Sequence, residues 1–419
     1  MLSVSISRAW HQAWRTRIVS CLCVALLLAS HAASQSPAPS SSAGTSSVKD
    51  AAAAIASGDF TKAESELRLL LRTVPNNAHA LNLLGIICAQ QKRESEAETL
   101  FKQAIAIQPD FAGAHASLGL LYVQMGKNDL AIAPLQEALR LDPGRSDART
   151  VLVSVWRDQA HAAAQQNELE KALALLLDAR KVNPGDADLQ YDLGMVELRM
   201  SLFSDAIDAF DQTLKLRADD ARALYGLGRA KMAIAKFDEA QQAFERYVQL
   251  RPADSSGHYA LGFTLQAMEQ PAAARTEYEK SIELQPLQTE SYFQLGLIDL
   301  DTGNLRAAAD KFGRVLKRAP QHAGALTELG RVKFQEKEYA EAADLLAKAI
   351  ASNPNLREAH YYLGMTDARL GHTDDSEREL QTASRIEHEE VEKHQNLLKI
   401  VDPDQVQTPE QEAKPVSTN

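Results

Sequence analysis

A Leu-Gly pair recurs along this chain at a fixed interval, which is the distance from Gly85 to Gly119. This spacing constrains the fold more than any other feature of the sequence. The interval is interrupted once and then resumes. A period of this length is typical of a stacked solenoid, in which each unit buries its apolar face against its neighbours. The glycines of these pairs are Gly85, Gly119, Gly194, Gly228, Gly262, Gly296, Gly330 and Gly364.

Three further positions keep step with each glycine. A small residue, a large residue and, in most units, a proline follow it at constant offsets; after Gly85 these are Ala97, Phe101 and Pro109. If the Leu-Gly segment forms one helix and the alanine segment a second, the two helices cross closely at the glycine, and the large residue fills the space beside it. Proline lacks an N–H group and ends the second helix.

This set of offsets resembles the tetratricopeptide repeat family, whose pairs of antiparallel helices carry these residue types. The resemblance covers residues 48–388. It implies an all-α fold, a right-handed superhelical solenoid of about ten helix hairpins, with a capping helix at residues 389–401. In one unit the period is seven residues longer, and Ala160 replaces the glycine. Seven residues are about two helical turns, so we expect an extended first helix over residues 147–165 that keeps the packing face aligned.

The two ends of the chain differ in composition from the repeats. Residues 1–33 resemble a secretory signal, because arginines precede an apolar stretch and a small-residue cleavage site; an uncleaved anchor is the alternative. Residues 34–47 have the composition of a flexible linker, and residues 402–419 that of a disordered tail. We expect no integral membrane segment after signal cleavage. The signal predicts a periplasmic or secreted protein, and the absence of an Asn-x-Ser/Thr sequon favours a bacterial one.

The chain carries a net charge of −11. Nucleic-acid binding depends on clusters of Lys and Arg, so this acidity disfavours a nucleic-acid partner. Outside the predicted signal there is a single cysteine, Cys88, for which we expect a buried thiol. The sequence contains no catalytic or metal-binding constellation, and we expect no cofactor. His115, His258 and His360 each stand four residues before a glycine, and this repetition favours a packing or rim role over a metal site.

In the resembled family, the first helices of successive units line a concave groove. The resemblance therefore implies that the residues three before and one after each glycine face inward, as adjacent pairs on one helix face. We predict that they form an aromatic strip for an extended or helical peptide, with arginines that meet a carboxylate. Packing between neighbouring first helices is the alternative explanation for these residues. The predicted groove residues are Tyr191, Met195, Arg222, Tyr225, Arg229, Tyr259, Phe263, Phe293, Leu297, Arg331, Tyr361 and Met365.

The sequence thus predicts a non-enzymatic scaffold or adaptor that binds peptide segments of a protein partner. The alternative is a noncatalytic structural or regulatory subunit of a bacterial cell-envelope assembly, in which the repeats serve as a spacer. Substitutions in the groove would separate the two, since they would abolish capture by an adaptor but leave a spacer working.

Overall fold

The computed structural model describes residues 42–400, with side chains for residues 48–389, and this range contains α-helices and turns but no β-strand. The all-α class predicted from the sequence is therefore confirmed. The predicted signal and the predicted tail lie outside the described residues. The twenty helices of the described range are α1 (Ser42–Ala56), α2 (Phe60–Thr73), α3 (Ala78–Gln90), α4 (Glu94–Ile107), α5 (Ala112–Gln124), α6 (Asn128–Leu141), α7 (Ser146–Gln165), α8 (Leu169–Val182), α9 (Ala187–Arg199), α10 (Phe203–Leu216), α11 (Ala221–Ala233), α12 (Phe237–Leu250), α13 (Ser255–Ala267), α14 (Pro271–Leu284), α15 (Thr289–Asp301), α16 (Leu305–Arg318), α17 (Ala323–Gln335), α18 (Tyr339–Ser352), α19 (Arg357–Leu370) and α20 (Thr373–Ile400).

Two compact units divide the chain after Ile234. The first contains α1–α11, and the second contains α12–α20. Odd-numbered helices are the first helices of the repeats, and even-numbered helices are the second helices. Within each unit, a first helix packs against the second helix that follows it, and that second helix packs against the next first helix. This arrangement confirms the predicted helical repeat.

Where both helices of a hairpin lie in one unit, the repeated glycine faces the large residue of that hairpin. A Cβ atom built on Gly85 would lie 2.6 Å from the Phe101 ring, and one built on Gly296 would lie 2.5 Å from the Phe312 ring. Two non-bonded carbon atoms pack at roughly 3.5–4.0 Å, so a side chain at either position would displace the ring. Ala308 and Phe312, the small and the large residue that follow Gly296, are both fully buried. The predicted close crossing of first and second helices is confirmed.

Substitution of Gly296 by alanine should destabilise the second unit, because the new methyl group and the Phe312 ring compete for one space. We expect a loss of about 1–3 kcal/mol in the free energy of unfolding, measured by chemical denaturation. Gly313 on α16 is the matched control, since no atom lies within 4 Å of a Cβ built there. Gly313→Ala should stabilise the helix by about 0.5–1 kcal/mol. Equal effects of the two substitutions would contradict the crossing.

Each turn between a first and a second helix contains one residue in the left-handed backbone conformation, again at the repeat interval. Glycine occupies this position in four of the repeats, whereas the other six have a residue with a side chain. The left-handed conformation costs such a residue roughly 1–2 kcal/mol, which the packing of the hairpin offsets. The six residues are Lys92, Asn167, Ser201, Ala235, Glu269 and Lys337.

Helix α7 is the extended first helix that the longer period predicts. It has 20 residues, compared with 13 in α9. Ala160 is fully buried at the position of the missing glycine. A cavity of about 390 Å³ lies beside the added turns, next to Leu152 and Trp156. The insertion therefore lengthens one first helix and leaves the register of the hairpin intact.

Two boundaries differ from those expected from the sequence. Helix α1 begins at Ser42, within the predicted linker at residues 34–47. The region predicted as a separate capping helix, residues 389–401, is instead the last part of α20, which continues without a break from Thr373 to Ile400. No proline or glycine occurs in α20, so the breaker that ends the earlier second helices is missing.

Glu197 on α9 is a buried carboxyl group with an unsatisfied oxygen. Its Oε2 atom has no hydrogen-bond partner, and burial raises its pKa to about 7. At the same repeat position on α15, Asp299 accepts a hydrogen bond of 2.7 Å from Arg275 on the preceding second helix. The residue at the Arg275 position on α8 is Leu173, so the repeat supplies no cation to Glu197 from there.

The Glu197→Gln variant should be more stable than the wild type above neutral pH. The folded-state pKa of Glu197, about 7, lies above the ordinary value of 4.5. The wild type therefore loses stability as the pH rises through this window and keeps the deficit at higher pH. We expect a gain of about 2–3 kcal/mol for the variant near pH 8 and almost none near pH 4.

Chemical denaturation across this pH range measures the gain. The exposed Glu170 on α8 is the control site, and Glu170→Gln should follow the wild-type profile. Parallel profiles for wild type and Glu197→Gln would show that the buried carboxyl group carries no such cost.

Candidate functional site

The predicted groove residues lie on first helices of both units, and in each unit we call the surface that carries them the first-helix face of that unit. In the first unit α9 packs against α11, and in the second unit α17 packs against both α15 and α19. The structure thus brings predicted residues of neighbouring first helices together within each unit. The first unit contributes Tyr191, Met195, Arg222, Tyr225 and Arg229, and the second contributes Tyr259, Phe263, Phe293, Leu297, Arg331, Tyr361 and Met365.

The aromatic residues three positions before the glycine, which we call the inner aromatic residues, pack on the large buried residue of their own hairpin. The Tyr259 ring centroid lies 5.8 Å from that of Tyr278, and the Phe293 centroid lies 5.8 Å from that of Phe312. Tyr191 repeats this contact with the buried Phe210, at 6.0 Å. These distances are typical of favourable aromatic pairs. The inner rings are therefore half-buried, with one edge held by the second helix.

Phe263 on α13 has a different environment. Its side chain is 45% exposed, and its ring stacks on that of Tyr259, with the centroids 6.2 Å apart. Tyr361 on α19 is exposed in the same way, and its ring contacts that of Tyr362 at 5.3 Å. An exposed ring is thus placed beside a second ring on two first helices of the second unit.

Arg222 on α11 is held by an internal network. Its guanidinium group lies 4.6 Å from the centre of the Tyr191 ring, and it donates hydrogen bonds to Asp220 and Asp188 at 2.7 and 2.8 Å. The pKa of Asp188 falls to about 2, first because of Arg217 and then because of Arg222. The donors of Arg222 that face these carboxylates are therefore already engaged.

The other two predicted arginines differ from Arg222 and from each other. Arg331 on α17 lies 3.4 Å from Glu328 and 5.6 Å from the Tyr362 ring centre, and its Nε atom is buried without a hydrogen-bond partner. Arg229 on α11 is exposed and forms no hydrogen bond or ion pair with any residue that the structure describes. Of the three predicted arginines, only Arg229 has a guanidinium group without an internal partner in this range.

The structure adds a charged cluster at the start of this face that the sequence analysis did not assemble. Asp192 on α9 accepts a hydrogen bond of 2.7 Å from Arg157 on α7, and His161 Nε2 lies 3.1 Å from the same carboxylate. The hydrogen bond with Asp192 raises the pKa of His161. Arg157 and His161 stand three before and one after Ala160, so both occupy the offset positions that define the first-helix face in the other units.

The Asp192→Asn substitution should lower the pKa of His161, because it removes the carboxylate that stabilises the imidazolium ion. In the wild type, this pKa lies above the ordinary value of 6.5. The stabilisation from the pair is complete below pH 6.5 and is lost as the pH rises through the raised pKa. NMR titration of the ring signals measures the change.

His79 is the internal reference for that titration. Burial lowers its pKa, and it lies on α3, away from the cluster, so its titration should be the same in both proteins. An unchanged His161 titration in the Asp192→Asn variant would exclude the carboxylate as the cause of the raised pKa.

The repeated histidines have a packing role, as predicted. The Nε2 atoms of His115, His258 and His360 lie within hydrogen-bond distance of the carbonyl oxygens of the prolines that precede their helices. In addition, Nδ1 of His258 lies 2.7 Å from Glu277 on the following second helix. Each ring therefore connects a first helix to the loop before it.

Residues 42–400 contain no helix that combines the length and the apolar character needed to cross a membrane. Among the same residues, no group of three or more His, Cys, Asp or Glu side chains is arranged to hold a metal ion. Cys88 is buried, as expected, and burial raises the pKa of its thiol to about 11, which makes it unreactive near neutral pH.

Family comparisons identify the repeat. One tetratricopeptide repeat model matches residues 50–112, 95–146, 157–200, 191–255 and 293–357. Two others match residues 333–399 and 255–286. The first of these models alone covers more than half of the chain.

Individual proteins are similar over shorter stretches. A segment of 131 residues, 30% of this chain, is 30% identical to the human protein O-mannosyl-transferase TMTC3 and covers 14% of it. A segment of 61 residues, 15% of this chain, is 38% identical to the type IV pilus assembly protein PilF of Pseudomonas aeruginosa and covers 24% of it. The chain therefore spans less than a quarter of the length of both relatives.

Among solved structures, similarity extends to YrrB, described as a TPR protein with an unusual peptide-binding site. The two are 27% identical with a TM-score of 0.38, and the match covers 44% of this chain and 95% of YrrB.

Proposed function

Because this chain belongs to the tetratricopeptide repeat family, we propose that it is a non-enzymatic scaffold or adaptor that binds peptide segments of a protein partner on its first-helix face. Repeats of this family typically mediate protein–protein interactions. Such a repeat array presents an extended surface rather than an enclosed pocket, which suits an extended or helical peptide better than a small substrate.

The observation that carries the proposal is the exposed Phe263 ring beside Tyr259. Apolar surface left in water costs about 25 cal/mol for each Å² that a partner could cover. Tyr259 is anchored on the buried Tyr278, so the pair offers a fixed aromatic surface and needs little ordering when a ligand binds. Aromatic anchors of this kind are enriched at the centres of protein interfaces.

Phe263→Ala should weaken capture of the partner about tenfold, the loss expected for an interface anchor, and should leave the melting temperature nearly unchanged. Leu287, 74% exposed in the turn between α14 and α15, is the matched control, because Leu287→Ala removes exposed apolar surface away from the first-helix face. Capture by the wild type and by both variants is measured by co-purification from chemically cross-linked cells. The contact is mapped separately, in intact cells, with a photo-crosslinking amino acid at position 263 or at position 287.

A discrete cross-linked protein at position 263, absent at position 287, is the expected result. The proposal fails if neither position yields a cross-link, or if both yield the same products. It also fails if Phe263→Ala unfolds the second unit, since that result would assign the exposed ring to packing.

We also propose that the protein is exported, with residues 1–33 as a cleaved signal, and acts in the periplasm or outside the cell. N-terminal sequencing of the protein from the periplasmic fraction should begin near residue 34. A role as a noncatalytic subunit of a bacterial envelope assembly is the second candidate, in line with the match to a pilus assembly protein. Loss of function after deletion of residues 402–419, with no effect of Phe263→Ala, would favour that role.

A further inference from the structure

The first-helix face of α7, α9 and α11 directs its positive charges outward and its negative charges inward. The side chains of His161 and Arg222 are 51% and 50% exposed. Among the carboxylates that pair with them, Asp192 and Asp220 are 10% and 4% exposed, and Asp188, which is shared with the exposed Arg217, is 37% exposed. A ligand that approaches this surface therefore meets guanidinium and imidazole groups before it meets carboxylates.

Arg229 extends this positive surface and has no internal partner among the described residues. It lies seven residues after Arg222 on α11, so the two share a helix face two turns apart. Burial raises the pKa of Tyr191, and the charges of Arg222 and Arg229 oppose that rise. Both arginines are thus within electrostatic reach of the Tyr191 ring on α9.

The corresponding positions of the second unit do not repeat this pair of cations. Six residues before the repeated glycine, where α11 has Arg222, α15 has Glu290 and α19 has Glu358. One residue after the glycine, where α11 has Arg229, α15 has Leu297. At this position α17 has Arg331, which is paired with Glu328 and has no arginine six residues before its glycine. In a chain of net charge −11, the positive first-helix face is therefore a local feature of the first unit.

We propose that the first-helix face of α7, α9 and α11 binds an acidic peptide segment, and that Arg229 pairs with one of its carboxylates. This inference rests on the proposed function and adds the chemistry of the ligand. Arg229 is the contact residue because it can form a two-point hydrogen bond with a carboxylate without leaving an internal partner. Arg222 already uses Nε and Nη2 to bond Asp188 and Asp220, so it can form a two-point hydrogen bond with a ligand only by releasing one of them.

The neighbouring residues fit the same ligand. Tyr191 and Met195 lie on α9 between the cations of α7 and those of α11 and supply apolar contact for the side chains between the acidic ones. His161 adds a positive charge when it is protonated. Steering by these charges should make the interaction depend strongly on salt, because exposed charges are screened within a Debye length.

The test uses the full chain and a capped, fluorescently labelled peptide of repeated Glu-Ala-Asp triplets, with binding measured by fluorescence anisotropy. The wild type should bind this probe, and the affinity should fall from low to physiological salt. Arg229→Ala should weaken binding about tenfold, as expected for loss of one charged hydrogen-bonded pair. Arg229→Glu should abolish it.

Arg72→Ala is the matched control, because Arg72 is an exposed arginine on the second helix α2 of the same unit. This variant should bind like the wild type. A labelled peptide of Lys-Ala-Lys triplets should not bind. The inference is overturned if the acidic probe does not bind, or if Arg229→Ala and Arg72→Ala have the same affinity. It is also overturned in favour of a phosphate ligand if a single-stranded oligonucleotide displaces the probe.

Failure of the acidic-peptide inference can be distinguished from failure of the adaptor function, because the two experiments test different residues. The acidic probe tests residues of the first unit, whereas capture tests Phe263 in the second unit. Normal binding of the acidic probe with no Phe263-dependent capture would contradict the adaptor function alone. If capture depends on Phe263 but binding of the acidic probe does not depend on Arg229, only the proposal of an acidic ligand is contradicted.

Discussion

The close crossing of the two helices of each hairpin is the constraint on which the rest of the structure depends. At Gly194, a Cβ atom would lie 2.7 Å from the Phe210 ring, and a leucine takes the place of the ring opposite Gly119. Because the glycine must face the second helix, the residues three before and one after it turn toward the first-helix face. The packing requirement therefore also selects which side chains a ligand can meet.

Most of the fold follows from the sequence, because its periodic residues report this crossing directly. The helical class, the repeat register and the extended α7 are all visible in the spacing of glycine, alanine and the large residue. The residues with left-handed backbone in the hairpin turns cannot be recognised from the sequence, since Lys92, Ser201 and Glu269 are not residue types that favour a positive φ. The packed hairpin imposes their conformation. The predicted capping helix, residues 389–401, is the end of α20, which continues from Thr373 because no proline or glycine ends the last second helix.

The sequence predicts which residues belong to the candidate site, but it does not predict which of their charged groups are already paired within the protein. The offset rule predicts most residues of the first-helix face, and the prediction added Arg222, six residues before Gly228, as an equivalent of Arg229 and Arg331. The three arginines differ in their ion-pair partners, which lie on other helices or in the loop before the helix. Asp188 on α9, for example, pairs with Arg222 on α11. Whether a cation is free or paired depends on two or more positions that vary independently along the repeats, and a rule based on one position cannot resolve it.

The same independence explains how an invariant packing scheme can carry different chemistry in each repeat. Three residues after the glycine, Tyr122 donates to Glu98 on the preceding second helix, whereas Glu197 at the same position has no such partner. The hairpin accommodates both, because the glycine, the alanine and the large residue form the same crossing in each case. Positions outside that set can therefore change in charge and polarity without changing the crossing, and this is why an aromatic surface in one unit and a positive surface in the other are compatible with a single repeat.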